Sequence, residues 1–74
     1  MNPRWLKINQ NNYGAWYLKG IALDELGRYE EALQAYDKAL ELYPEYVDAW
    51  DDKVDVLFKL VRDEEAEILL KEVY

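Results

Sequence analysis

The chain has 74 residues and a formal net charge of −7, so it has room for one small domain with a single hydrophobic core. Cysteine, histidine, serine and threonine are all absent, which excludes disulfides, thiolate or imidazole zinc sites and the usual nucleophilic triads. The acidic charge argues against nucleic acid and anionic membranes as partners, because both are bound through clustered Lys and Arg side chains.

Residues 1–12 contain a short apolar cluster that ends in an asparagine-rich break. Pro3 suits the first turn of a helix. The cluster that follows consists of Trp5, Leu6 and Ile8. A shift of 34 residues places this cluster on residues 39–42. We therefore interpret residues 1–12 as the stub of a preceding repeat's second helix.

Two amphipathic helices joined by a tight turn are predicted next. Asn12 can cap the first helix, over Gly14–Leu26, in which apolar residues recur at spacings of three and four. Gly27 offers a left-handed stop. The second helix runs from about Glu30 to Leu42, and Pro44 lies just past its end.

The remainder of the chain is predicted to form two more helices. Apolar spacing indicates a third helix over about Asp48–Leu60 and a fourth over about Glu64–Val73. Val61 stands where the first pair has Gly27, and valine is strained in a left-handed conformation. We therefore expect the turn over Leu60–Asp63 to differ in shape from the first turn.

The chain repeats itself with a period of 34 residues. Identical residues separated by this period are Ala15/Ala49, Trp16/Trp50, Lys19/Lys53, Leu23/Leu57, Leu26/Leu60, Arg28/Arg62, Glu30/Glu64, Glu31/Glu65 and Ala32/Ala66.

A helix pair with this period, and with Trp, Ala and Pro at set positions, resembles the tetratricopeptide repeat. The family pattern W-x2-L-G-x2-Y…A-x3-F…P falls on Trp16, Lys19, Gly20, Leu23, Ala32, Tyr36 and Pro44. The resemblance implies an all-α fold of antiparallel helix-turn-helix repeats, a tetratricopeptide-like α-solenoid with about two repeats and a short N-terminal helical stub. We assign residues 13–46 to a complete repeat and residues 47–74 to a second, truncated one.

The recurrent small and aromatic residues have packing reasons. Gly20 and Ala32 let the two helix axes approach closely, while Trp16 and Tyr36 fill the volume around the crossing. We interpret these positions as structural core and not as binding residues. In the second repeat Val54 replaces the packing glycine.

The resemblance also indicates where a ligand would bind. Stacked helix pairs form a superhelix whose inner face comes mostly from the first helix of each pair, and relatives grip peptides there. After the core positions are removed, the predicted peptide-binding groove consists of Tyr17, Ile21, Asp24, Glu25, Asp48, Asp51, Asp55, Phe58 and Lys59.

The predicted groove is acidic. Asp48, Asp51 and Asp55 lie three and four residues apart, so they share one helix face. Carboxylates at this spacing repel one another, and a solvated helix face with acids at its start is an equally good interpretation. Some relatives hold a C-terminal carboxylate on this face with basic residues, which the acidic surface here disfavours. We expect a protein–protein interaction module that binds a basic or aromatic-basic peptide segment.

An alternative is a structural unit that assembles with itself and has no outside ligand. The last predicted helix has an apolar face that no later helix covers, so either the sequence is a piece of a longer array or copies cover one another. We predict a homo-oligomer face formed by Trp5, Leu6, Ile8, Leu69, Leu70, Val73 and Tyr74.

Other functional classes are disfavoured by the residues available. Only carboxylates, lysines and tyrosines could act in catalysis, so we expect a protein that is not an enzyme and needs no cofactor. The aspartates lack the folded glycine-containing loop of a calcium site, so no metal is expected. A soluble, cytoplasmic protein is expected, since no apolar run approaches the ~20 residues that span a bilayer.

Overall fold

The computed structural model describes residues 12–73 of the chain, and it contains three α-helices and no strand over that range. The helices are α1 (Tyr13–Glu25), α2 (Tyr29–Leu42) and α3 (Val47–Val73). The predicted all-α, helix-turn-helix fold class is confirmed. The predicted stub lies outside the described residues, as do four members of the predicted oligomer face, Trp5, Leu6, Ile8 and Tyr74.

The helix pair α1–α2 forms as its sequence predicts. The Asn12 side-chain oxygen accepts hydrogen bonds from the backbone N–H groups of Gly14, at 2.9 Å, and Ala15, at 3.3 Å, so it caps α1. Gly27 has a φ of +79°, the left-handed conformation that stops a helix. The Arg28 N–H then donates to the Leu23 carbonyl at 2.9 Å and fixes the reversal into α2.

The crossing of α1 and α2 is tight at one point. A Cβ atom added to Gly20 would overlap the ring of Tyr36, whose side chain is fully buried. Glycine is required there by space, since its backbone conformation is an ordinary helical one. The crossing therefore joins the smallest residue of α1 to the largest fully buried side chain in the described part of the molecule.

The hydrophobic core lies between all three helices. One buried cluster consists of Leu23, Ala32, Ala35, Tyr36 and Val56. A second, towards the α2–α3 connection, consists of Ala39, Leu40 and Ala49. Because Ala49 and Val56 belong to α3, the first half of α3 packs against the pair and completes the core.

The prediction of separate third and fourth helices is wrong. Helix α3 runs without interruption from Val47 to Val73, through the predicted turn at Leu60–Asp63. Val61 disfavours the left-handed conformation that Gly27 adopts, whereas its right-handed helical conformation is accessible. No glycine or proline follows Pro44 in the sequence, so no helix-terminating residue interrupts α3. The second half of α3 therefore does not fold back on the first.

Candidate functional site

Polar side chains of α1 and α3 bridge the junction between these helices. The Tyr17 hydroxyl donates a hydrogen bond of 2.6 Å to Asp52. The Lys59 ammonium donates at 2.9 Å to Asp24 and lies 3.2 Å from the carboxylate of Asp55. The contacts of Tyr17 with Asp52 and of Lys59 with Asp24 fix α3 in position beside α1, and the single charge of Lys59 is shared between two of the acids on this face.

Both bridging groups are held in their protonated forms. The hydrogen bond to Asp52 raises the pKa of Tyr17 above its ordinary value, and burial and the negative charges of Asp52 and Asp48 add to the effect. Hydrogen bonds to Asp24 and Asp55 raise the pKa of Lys59. The two bridges therefore keep their charge state at neutral pH.

The predicted groove residues divide into three groups. Tyr17 and Ile21 are half-buried and pack against the core, so part of their surface serves the fold. Asp24, Asp55 and Lys59 form the ionic bridge just described. The members with exposed side chains and no ion pair or hydrogen bond to another described residue are Glu25, Asp48, Asp51 and Phe58.

Asp52 also belongs to this site, although it is not among the predicted groove residues. It lies three residues after the buried Ala49 and four before the buried Val56, so it shares their face of α3. This spacing is the signal in the sequence from which the position of Asp52 facing α1 could have been predicted. Because Asp52 faces α1, it accepts the hydrogen bond from Tyr17 and is less free to bind a ligand than its neighbours.

A cluster of tyrosines at one end of the groove was also missed. The ring of Tyr13 lies 4.8 Å from that of Tyr43 and 5.2 Å from that of Tyr46, and Tyr17 lies 5.0 Å from Tyr46. The signal in the sequence is a pair of tyrosines four residues apart on α1, together with a pair on either side of Pro44.

The tyrosine cluster adjoins an open cleft and a carboxylate. The cleft has a volume of about 490 Å³ and is lined by Asn12, Gly14, Ala15, Tyr17, Leu18 and Tyr46. The negative charge of Asp48 contributes to the raised pKa values of Tyr17 and Tyr46, which places that carboxylate within electrostatic reach of the cluster. Aromatic faces and carboxylates side by side are a suitable environment for an ammonium or guanidinium group.

The described residues offer little to other kinds of ligand. Over residues 12–73 no group of three or more His, Cys, Asp or Glu side chains is arranged to hold a metal ion. Within the same range, no helix combines the length and apolar character needed to cross a membrane. The predicted oligomer residues Leu69 and Leu70 are exposed on the second half of α3.

Comparison with known proteins identifies one part of the chain. The family model described as Tetratricopeptide repeat matches residues 13–46, the segment that contains α1, α2 and the turn between them. No curated protein and no solved structure matches the chain. The match covers the segment that the sequence analysis assigned to a complete repeat.

Proposed function

Because the chain carries a tetratricopeptide repeat at residues 13–46, and repeats of this non-catalytic family mediate protein–protein interactions, we propose that it is a peptide-binding module. The acidic face formed by α1 and α3 binds a short basic or aromatic-basic segment of a partner protein. The tyrosine cluster defined above forms one end of that binding surface.

The observation that supports this proposal is the distribution of paired and unpaired carboxylates. Lys59 is already paired with Asp24 and Asp55. In contrast, no Lys or Arg nitrogen of the described residues lies within 4.0 Å of the exposed carboxylates of Glu25, Asp48 or Asp51. These three remain available for charge-assisted hydrogen bonds with lysine or arginine side chains of a ligand.

Aromatic contacts would supply the rest of the affinity. Tyr13 and Tyr43 are each about two-fifths exposed, and Phe58 is 61% exposed. A cation over a tyrosine ring contributes roughly 0.5–1 kcal/mol at an exposed site, and stacked rings contribute a comparable amount. A segment that alternates basic and aromatic residues fits both kinds of contact.

Recognition of a C-terminal carboxylate fits this face poorly. Such recognition requires free cationic side chains, and Lys59 is the one cation among the predicted groove residues. Its ammonium is already bonded to Asp24 and Asp55. An incoming carboxylate would have to break these bonds and approach several uncompensated negative charges.

The test is a binding titration with two fluorescein-labelled peptides, one alternating lysine and tyrosine and one alternating glutamate and tyrosine. We expect the basic peptide to bind at least about tenfold more tightly, because opposite charges attract at these distances. The variant Asp48→Lys/Asp51→Lys should weaken its binding at least about tenfold. These positions are preferred to Asp55, whose substitution would also break the contact with Lys59.

The matched control is Glu30→Lys/Glu41→Lys, which changes the net charge equally at exposed sites on α2. Glu41 also pairs with Lys38, but this pair is exposed, so its loss should cost little stability. It should retain most of the affinity if the ligand binds at the face of α1 and α3. Equal weakening in both variants would show a general charge effect and would contradict the proposed groove. The same conclusion would follow if the wild-type protein did not discriminate between the two peptides.

A further inference from the structure

Six of the exposed apolar residues of α3 form a stripe along the helix. Its members recur every seven residues, as Val47, Val54, Val61 and Ile68, with Trp50 and Leu57 between them. All six side chains are between 43% and 65% exposed. We name these six residues the α3 stripe.

The spacing of the α3 stripe is typical of a helix that packs along another helix. Apolar residues alternating at spacings of three and four keep one seam facing a partner over several turns. The first position of each heptad is β-branched throughout, and Trp50 and Leu57 stand at the first two of the fourth positions. The two remaining fourth positions are occupied by Glu64 and Lys71.

Comparison within the chain explains why the stripe is uncovered. A shift of 34 residues places Trp50, Val54 and Leu57 on Trp16, Gly20 and Leu23. These equivalents are the positions through which α1 packs against α2. Since α3 continues straight past Val61, no helix among residues 12–73 covers the corresponding face over residues 47–71.

The side chain of Val54 limits how closely another helix can approach the α3 stripe. At Gly20 a Cβ would overlap the ring of Tyr36, so the α1–α2 crossing works only with glycine. Val54 keeps a covering helix further away, at the 8–10 Å that is usual between packed helices. This distance fits side-by-side pairing of two long helices better than a second copy of the α1–α2 crossing.

We propose that the α3 stripe is the contact surface of a homodimer in which the α3 helices of two copies pair in antiparallel orientation. The charges at Glu64 and Lys71 determine the orientation. A parallel pair would place each of them against its own equivalent, and like charges in such positions are unfavourable. An antiparallel pair centred between Leu57 and Val61 places both charges opposite valines instead.

The antiparallel register also matches apolar side chains across the seam. Leu57 lies opposite Val61 of the second copy, and Trp50 opposite its Ile68. Beside the seam, Lys53, whose ammonium is paired with Asp37 of its own chain, faces Glu67 of the second copy. On the other flank Asp51 faces Glu65, which is the unfavourable contact in this arrangement, and near the two-fold axis Phe58 and Leu60 each face their own equivalents.

Asp51 and Phe58 flank the seam, so the dimer borders the proposed groove at these two residues. Asp24, Asp52 and Lys59 bridge α1 to α3 on the side of α3 that faces α1. The α3 stripe lies on a different side, since its side chains are exposed and make no contact with that bridge. Self-association and peptide binding are measured by different experiments, so failure of the dimer proposal and failure of the peptide-binding proposal would be observed separately.

Sedimentation equilibrium of the full chain tests the proposal. We expect a mass of twice 8.9 kDa at about 100 µM, because association depends on protomer concentration. The variant Leu57→Asp/Val61→Asp places charges at the centre of the seam and should raise the dissociation constant at least about 100-fold. Circular dichroism would verify that this variant keeps its helices.

The matched control is Leu69→Asp/Leu70→Asp, which adds the same charges at residues that are 61% and 58% exposed but lie off the stripe. It should dimerise as the wild type does. A monomeric or trimeric wild type would overturn the proposal. Equal weakening by the control would also overturn it, because the surface would then not be the stripe.

Spin labels test the orientation, and the absence of cysteine allows single labelled sites. Labels at Arg62→Cys and Ala66→Cys lie off the stripe on the same helix. In the antiparallel register the paired labels are offset along the axis by about 9 Å at residue 62 and about 21 Å at residue 66. A clearly longer distance at residue 66 supports the proposal, and equal distances at both sites would overturn it.

Discussion

At the scale of single residues, the buried phenol of Tyr36 makes the core less stable than it could be. Its hydroxyl oxygen is buried and has no hydrogen-bond partner among the described residues. A buried polar group without a partner costs about 1–3 kcal/mol. Burial, together with the nearby carboxylates of Asp52 and Asp24, raises the pKa of Tyr36 from 10.0 to about 12.

We therefore expect Tyr36→Phe to increase the free energy of unfolding by roughly 1 kcal/mol. The substitution removes the unpaired hydroxyl and keeps the ring that packs on Gly20. Urea denaturation of the two proteins measures the difference. Tyr36→Ala is the control for loss of the ring and should destabilise by about 3–5 kcal/mol. A less stable Phe variant would show that the hydroxyl has a stabilising partner such as bound water.

Alkaline pH provides a second prediction at this scale. The pKa values of Tyr17, Tyr36 and Lys59 are all raised in the folded state. The folded chain therefore binds these protons more tightly than the unfolded chain does. Their stabilising contributions are fully present below the unfolded pKa values, of 10.0 for tyrosine and 10.5 for lysine, and are lost as pH rises through the folded values.

Chemical denaturation across this range should show a free energy of unfolding that falls above about pH 10. The Tyr17→Phe variant lacks one of the titrating groups, so its decline should be shallower than that of the wild type. Stability that stayed constant or rose over the same interval would contradict the protonation states assigned to the α1–α3 bridges.

At the scale of helices, a single position distinguishes a hairpin from a continuous helix. Gly27 and Val61 are equivalent under the 34-residue shift, but Gly27 has a φ of +79° and Val61 lies within α3. We expect Gly27→Ala to reduce the free energy of unfolding by about 1–2 kcal/mol, the cost of a left-handed conformation for a residue with a Cβ.

The equivalent substitution Val61→Ala should leave the monomer's stability nearly unchanged or slightly higher, since alanine is the better helix former. Thermal unfolding of the two variants at a concentration that favours monomers makes the comparison. Equal losses in both would imply a turn at Val61 and would contradict the uninterrupted α3.

The helix pair could be predicted from sequence because its signals are local. Asn12 caps a helix through backbone groups two and three residues away, and Gly27 can stop a helix by its own conformational freedom. The continuous α3 was harder to predict, because the repeat pattern favoured a turn where the residue itself did not. At Val61 local backbone preference prevailed over analogy with the first pair.

The candidate site could be predicted only in part, for a similar reason. Positions of groove residues follow from the repeat period, which places Tyr17, Asp24 and Lys59 on facing helices. Which carboxylates are already paired depends on the side-chain geometry between α1 and α3. The spacing of residues along one helix does not predict that geometry. The tyrosine cluster likewise combines residues from α1 and from the α2–α3 connection.

At the scale of the whole molecule, α1 and α3 present an acidic face while the α3 stripe presents an apolar one. The net charge of −7 attracts cationic segments of a partner protein to the acidic face. The stripe is available to another helix because α3 does not fold back. One chain thus offers two surfaces of different chemistry, and each is proposed to have its own partner.

The most direct test of the central proposal is a nitrogen-15 NMR titration of the protein with the lysine–tyrosine peptide. We expect the largest shift changes at the amides of Glu25, Asp48, Asp51 and Phe58 and in the tyrosine cluster. Amides around Val54 and Ile68 should change little. Changes concentrated along the α3 stripe, or spread evenly over the acidic surface, would contradict a binding groove between α1 and α3.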